Sequence, residues 1–141
     1  MIFHKHLLIN AKVNNPIQNE DEAIDFLTRL VSEIDMKIIK GPFAHYVDKP
    51  GNKGLTAIVM IETSHIAFHI WDEVEPGMLQ FDLYTCGSLD TPKVLEMLGD
   101  RFFIDDMDWV LIDRENAFVI EQGTGATRVG PIQLAAEKGY K

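Results

Sequence analysis

One cysteine, Cys86, stands in a chain of 141 residues. No internal disulfide is available, so the fold must rest on buried apolar surface. A lone thiol suits a reducing cytoplasm, where the protein is expected to reside. Basic residues are scarce: Lys and Arg number 13 against 22 Asp and Glu, for a formal net charge of −9. Binding along a phosphodiester backbone needs the opposite balance, so no nucleic-acid partner is expected, whereas an acidic field favours a small cationic ligand. No apolar run approaches the roughly 20 residues that span a bilayer, so no membrane partner is expected either. The opening Met-Ile-Phe-His-Lys-His lacks the apolar stretch of a secretory signal. Also missing are Gly-x-Ser-x-Gly, His-Glu-x-x-His and a Gly-Lys-Ser/Thr phosphate loop; the glycines at 123 and 125 lead into no apolar helix. No repeat or heptad run is present. What remains is an ordinary globular composition, 46% hydrophobic and 25% charged, expected to form one domain over residues 1–141.

Period and punctuation then divide the chain into elements. Residues 4–13 alternate weakly and are rich in β-branched and apolar side chains, which predicts a strand. Residues 19–36 carry Ala23, Phe26, Leu27, Leu30, Val31 and Ile34 at helical spacing, with Glu20, Asp21 and Glu22 at the positive end of the dipole. Strands are predicted at 38–39 and 43–47, interrupted by Gly41-Pro42, and again at 55–61, 66–71 and 78–85. The run Asp-Lys-Pro-Gly-Asn-Lys-Gly over 48–54 reads as a hairpin loop. Thr91 reads as the cap of a second helix with Pro92 at its first position, Gly99 closes it, and a last hairpin joins 109–112 to 117–120. Residues 105–108, Asp-Asp-Met-Asp, read as a solvated turn, and the chain from Gln122 onward, with Gly123, Gly125, Gly130 and Pro131, as irregular. The order β-α-β-β-β-β-α-β-β lacks the strict alternation of a parallel sheet. It predicts an α+β two-layer domain, an antiparallel sheet with two helices on one face.

Chemistry-bearing side chains concentrate between Thr56 and Cys86. Along 66–71 a period of two puts His65, Ala67, His69 and Trp71 on one side and Ile66, Phe68 and Ile70 on the other. An i, i+4 histidine pair is by itself more often structural than functional, and no glutamate base lies between these two, so no metal site is expected. Cys86 by itself reads as a small buried hydrophobe. Together, however, three blocks resemble the prokaryotic S-adenosylmethionine decarboxylase family: Gly54-Leu55-Thr56-Ala57, the run from Thr63-Ser64-His65 through His69-Ile70-Trp71-Asp72-Glu73, and Asp82-Leu83-Tyr84-Thr85-Cys86-Gly87. That family carries Glu-Ser-His-x-x-x-His-x-Trp-Pro-Glu and, after a short turn, Asp-x-Phe-Thr-Cys-Gly. The likeness is strong over the central third of the chain and looser at His6-Leu7 and over 43–46. This chain differs at Thr63, where the family has glutamate, at Asp72, where it has proline, and in the longer turn 74–77.

The resemblance implies a self-processing, pyruvoyl-dependent enzyme. Ser64 matches the serine whose hydroxyl attacks the preceding carbonyl, so the chain is made as a zymogen. The implied self-cleavage lies between Thr63 and Ser64, with Ser64 expected to become the pyruvoyl cofactor. His69 matches the histidine that moves a proton during the elimination. Thr56 matches a processing serine whose hydroxyl serves the developing oxyanion, and a hairpin is expected to carry it back toward the Thr63–Ser64 junction. The ketone would take the substrate amine as a Schiff base and accept the electrons left by departing CO2. Cys86 matches the residue that returns a proton to the product. Glu73 matches the glutamate that grips the ribose hydroxyls, Phe43 or Tyr46 is placed to stack on adenine, and His65 joins the substrate-binding set. The implied substrate is S-adenosylmethionine, decarboxylated to supply the aminopropyl donor for polyamine (spermidine) biosynthesis. The implied assembly is a homodimer with active sites at the interface, an α/β/β/α sandwich. Two alternatives stay open: a pyruvoyl-dependent decarboxylase of arginine or ornithine on the same fold, and a non-catalytic relative that binds a ligand or regulates an active partner.

Overall fold

Alternating apolar and polar residues make the strands two-sided, and the helices cover one side. The computed structural model describes residues 4–116 and 118–125. The chain runs β1 (Lys5–Val13), α1 (Glu20–Glu33), β2 (Ile38–Val47), β3 (Gly54–Ile61), β4 (Ser64–Trp71), β5 (Gly77–Thr85), α2 (Thr91–Phe102), β6 (Ile104–Asp113) and β7 (Phe118–Gly125). The strands form one sheet in the order β2-β3-β4-β5-β1-β6-β7, every neighbouring pair antiparallel. The α+β architecture expected from element order is the one found. Among the described residues, no helix is long and apolar enough to cross a membrane.

The covered face is built from every second residue: Leu7 and Ile9 of β1, Ala57 and Val59 of β3, Phe68 and Ile70 of β4, Leu79 and Phe81 of β5 are all buried. Both helices lie on that face. Phe26 of α1 and Phe102 of α2 meet each other and Phe68 edge-on, with ring centroids 5.4 to 6.3 Å apart. The amphipathic stripe read from residues 19–36 supplies α1, which is shorter than predicted. The Asn19 side chain accepts from the backbone N–H groups of Asp21 and Glu22, and the helix ends at Glu33.

Several expectations give way to packing. Asp90, not Thr91, caps α2 by accepting from the Lys93 N–H, and the helix passes through Gly99 to Phe102 because Phe102 is wholly buried in the aromatic cluster. Gly41-Pro42 does not split β2; shifts of register absorb it at the edge of the sheet, where a missing N–H is tolerated. Residues 105–108 are strand and not turn: Met107 is buried while Asp106 and Asp108 pair with Lys12 and Asn10 on the neighbouring β1. Residues 122–125 belong to β7, where Gly123 lies so close to the Trp109 indole that a Cβ would come within 2.8 Å of Nε1. Gly130 and Pro131 lie outside the described residues.

Phe68 joins the helices to the sheet, so Phe68→Ala is expected to cost about 3–5 kcal/mol of stability in urea denaturation. A loss under about 1 kcal/mol would mean that the three rings do not carry the core.

Candidate active site

Among the described residues, no helix lies over the second face of the sheet. Its period-two partners of the buried set include His65, His69 and Trp71 of β4, Thr56 and Ile58 of β3, and Gln80, Asp82 and Tyr84 of β5. A cleft of about 580 Å³ crosses this face and is lined by Leu8, Asn10, His69, Gln80, Asp82 and Asp108, among others. That is the size range of sites for small molecules.

At one end of the face the β3–β4 turn, Glu62-Thr63, sets the Thr63–Ser64 peptide against the end of β5. Ser64 stands opposite Thr85, and the Cys86 N–H donates to the Thr63 carbonyl at 3.0 Å. Ser64 has a φ of 146°, a positive value that contact between Cβ and the backbone disfavours in any residue but glycine. Such backbone conformations cost on the order of 1–3 kcal/mol. The Thr63 hydroxyl is buried and makes no hydrogen bond among the described residues. The carbonyl that a Ser64 hydroxyl would attack is thus already held by a backbone donor, in a strained segment. A negative charge growing on that oxygen would be stabilised there. Ser64 and Cys86, matched from two separate blocks, are brought together.

Thr56 and His69 are also together, but elsewhere. Thr56 Oγ1 and His69 Nδ1 are 3.0 Å apart, as their pairing across β3 and β4 requires. The hairpin does not carry Thr56 to the junction. Ser64 faces Ile61, and His69 lies five positions farther along β4, roughly 16 Å at about 3.3 Å per residue. The tight turn dictates this register, so within one chain neither Thr56 nor His69 reaches Ser64. Beyond His69, the Trp71 ring lies 6.0 Å away and donates its Nε1–H to Asn52 Oδ1 at 3.1 Å. Glu73 accepts from the Gly51 N–H at 2.9 and 3.1 Å, which straps the 48–54 loop over this end. Asp72 accepts from the Tyr46 hydroxyl at 2.9 Å and from Gln18 at 3.1 Å. Burial first, then the hydrogen bond and charge of Asp72, raise the Tyr46 pKa, so the phenol stays a donor. Phe43 is exposed on β2, opposite Ile58.

Three residues near Ser64 escaped sequence reasoning as site residues: His6, Asp82 and Tyr84. His6 Nε2 and His65 Nε2 each lie 2.9 Å from Asp82 Oδ2. Half-burial alone would push the Asp82 pKa up. Hydrogen bonds from both histidines, and then their charges, outweigh it and hold the carboxyl below its ordinary 3.8. Tyr84 meets His4 Nδ1 at 2.7 Å, and the Arg114 guanidinium lies 4.2 Å over its ring. The available signal was the polar side of the alternation over 78–85. No linear motif records a cluster assembled from three strands.

Comparison with known proteins bears on this geometry. Residues 5–115 match the S-adenosylmethionine decarboxylase family. The S-adenosylmethionine decarboxylase proenzyme of Archaeoglobus fulgidus is 46% identical over 64 residues, 43% of this chain and 54% of that relative. The arginine decarboxylase proenzyme of Aeropyrum pernix is 43% identical over 51 residues, 35% of this chain and 37% of that one. For the S-adenosylmethionine decarboxylase proenzyme of Thermoplasma acidophilum the figures are 44% over 39 residues, 28% of each chain. The matched stretch thus spans about half the length of the Archaeoglobus relative and less of the other two. Because the family match runs from β1 through β6 and takes in both ends of the uncovered face, the chain belongs to the S-adenosylmethionine decarboxylase family.

Proposed function

We propose that the chain is a self-cleaving, pyruvoyl-dependent decarboxylase whose substrate is S-adenosylmethionine. The observation that carries this reading is the Thr63–Ser64 junction: a positive φ at Ser64 and a carbonyl held at 3.0 Å by the Cys86 N–H. These features fit Ser64 as the origin of a pyruvoyl group. Attack of its hydroxyl on the Thr63 carbonyl carbon breaks the peptide C–N bond and leaves an ester. Elimination across Cα–Cβ of Ser64 then frees the Thr63 carboxylate, and hydrolysis of the dehydroalanine releases ammonia and leaves a ketone. The Cys86 N–H serves the oxyanion of the first step, and relief of backbone strain favours it.

A pyruvoyl group supplies an electron sink for decarboxylation. The chain's residues do the rest. Cys86, whose backbone N–H meets the junction, carries a thiol suited to return a proton to the product carbon. His69, bonded to Thr56, is suited to move the proton of the elimination, yet it lies about five strand positions away, roughly 16 Å, in its own chain. A homodimer resolves this. The uncovered face carries Leu8, Ile58, Met60 and Met78, each between 36% and 45% exposed, an apolar surface that a second copy can bury. A two-fold axis lying in the interface and running across the strands would set the His69 end of one protomer against the Ser64 end of its partner. Glu73 then comes to the substrate with two acceptor oxygens for ribose, exchanging the Gly51 N–H for a pair of hydroxyls. In this reading the product is an aminopropyl donor for spermidine synthesis, made in the cytoplasm.

A second reading, arginine as substrate, draws on the Aeropyrum relative and on the cleft itself, where Asp82 and Asp108 suit a guanidinium.

Intact-mass measurement over days is expected to find fragments of 63 and 78 residues from the chain of 141, the larger reactive toward carbonyl reagents. Ser64→Ala should abolish cleavage and His69→Ala should slow it. A chain that stays whole yet decarboxylates at full rate refutes the pyruvoyl mechanism; one that stays whole and inert points to a non-catalytic binding relative. Co-refolding Ser64→Ala with His69→Ala chains should restore cleavage of the His69→Ala chain, since each heterodimer holds one complete junction. Heterodimers that remain uncut would sink the shared site. With carboxyl-labelled substrates in parallel, Glu73→Gln should raise KM for S-adenosylmethionine about tenfold or more and leave arginine turnover unchanged. Arginine turnover in the unaltered protein, with none for S-adenosylmethionine, would establish the second reading.

A further inference from the structure

We propose that His6, His65 and Asp82 form a binding site for a first-row divalent cation of the zinc class, held by two imidazoles and one carboxylate. The three residues come from neighbouring strands. His6 of β1 and His65 of β4 stand opposite Tyr84 of β5 from either side, and Asp82 lies two positions along β5 on the same face. Both imidazoles therefore lean diagonally over one carboxylate. Each Nε2 is 2.9 Å from the same oxygen, Asp82 Oδ2, and all three donor atoms lie within 4.8 Å of one another.

Metal–ligand bonds of about 2.1 Å set neighbouring donors about 3.0 Å apart at 90° and about 3.4 Å apart at 109°. Two of the three spacings already meet that requirement. The third spacing, between the two Nε2 atoms, is no more than 4.8 Å, and closing it to about 3.4 Å calls on the side-chain torsions of the imidazoles. The backbone is well anchored, because β5 is paired with both β4 and β1, and β1 in turn with β6. The two rings pack edge-on at 6.0 Å, and Tyr84 sits against them at 5.6 and 5.9 Å.

The chemistry of the donors selects the cation. Two imidazoles and one carboxylate suit Zn²⁺, Co²⁺, Ni²⁺ or Fe²⁺, whereas Mg²⁺ and Ca²⁺ prefer all-oxygen sets. An imidazole ligates through an unprotonated Nε2 and keeps its proton on Nδ1, so a bound cation takes the place of the two hydrogen bonds to Asp82. Asp82 also lines the 580 Å³ cleft, which gives the cation an entry path and leaves coordination positions for water or a ligand. Since His65 follows Ser64 directly, a bound cation ties the junction to β5 and β1. The site itself stands whether or not the chain cleaves.

The test uses the untagged full chain, stripped with chelator and titrated with Zn²⁺ by calorimetry and with Co²⁺ by visible absorption. One equivalent is expected to bind. His6→Gln and His65→Gln each keep an N–H to bond Asp82 but remove a metal donor, so each should weaken binding at least about tenfold. His45→Gln, at an exposed histidine beside Glu20, should leave it unchanged. Nuclear magnetic resonance of ¹⁵N-histidine in the unaltered protein needs no variant: Zn²⁺ should shift the Nε2 signals of two of the five histidines. Absence of saturable binding, binding that survives the double variant His6→Gln/His65→Gln, or unshifted Nε2 signals would overturn the site and leave the cluster a hydrogen-bonded triad.

Discussion

Among the described residues, two helices of 14 and 12 residues cover one side of a seven-stranded sheet, and Phe68 anchors that covering. Its ring meets Phe26 and Phe102 edge-on over a layer of aliphatic side chains, where burial contributes on the order of 25 cal/mol per Å² of apolar surface. Side chains alternate along a strand, so holding Phe68 inward holds His65, His69 and Trp71 outward. A slip of one residue in β4 would exchange the two sets and bury the histidines among aliphatic neighbours. The chemistry of the uncovered face is therefore maintained by the hydrophobicity of the covered one.

The turn at Glu62-Thr63 imposes a second constraint. By pairing Ile61 with Ser64 it brings Thr56 against His69, and by pairing Ser64 with Thr85 the sheet brings Cys86 to the junction. One register thus produces two half-sites and keeps them apart. The strain at Ser64, on the order of 1–3 kcal/mol, is a modest fraction of what the core supplies, so a fold this well packed can hold a strained peptide without losing its structure. In the proposed homodimer a second copy would complete them, and the exposed apolar residues around them would give that copy something to bury.

How legible this was depended on whether the information was local. The stripe from Ala23 to Ile34 announced α1, and the alternation along 66–71 announced the two faces of β4. Gly99 misled because its helix cost, about 1 kcal/mol, is small beside the burial of Phe102 at the next turn. Acidic neighbours disguised Met107, whose single buried side chain was enough to keep residues 105–108 in the sheet. Gly123 suggested an irregular tail, when the small residue is what lets the Trp109 indole lie against the strand. Asp72, a departure from the family pattern, proved to hold Tyr46 and Gln18.

Composition and periodicity determined by themselves that this is an α+β domain, and the order of the blocks, through the family resemblance, is what nominates Ser64, His69 and Cys86 as its proposed chemical centre. Those are properties of a residue and its near neighbours in the chain. Only the tertiary structure decided which of these residues meet. Thr56 went to His69 and not to Ser64, the Cys86 N–H went to the Thr63 carbonyl, and two histidines from distant strands converged on Asp82. Contacts across a sheet depend on turn length and on the register that buries the most apolar surface. Both are settled by the whole chain at once, and no window of neighbouring residues contains them.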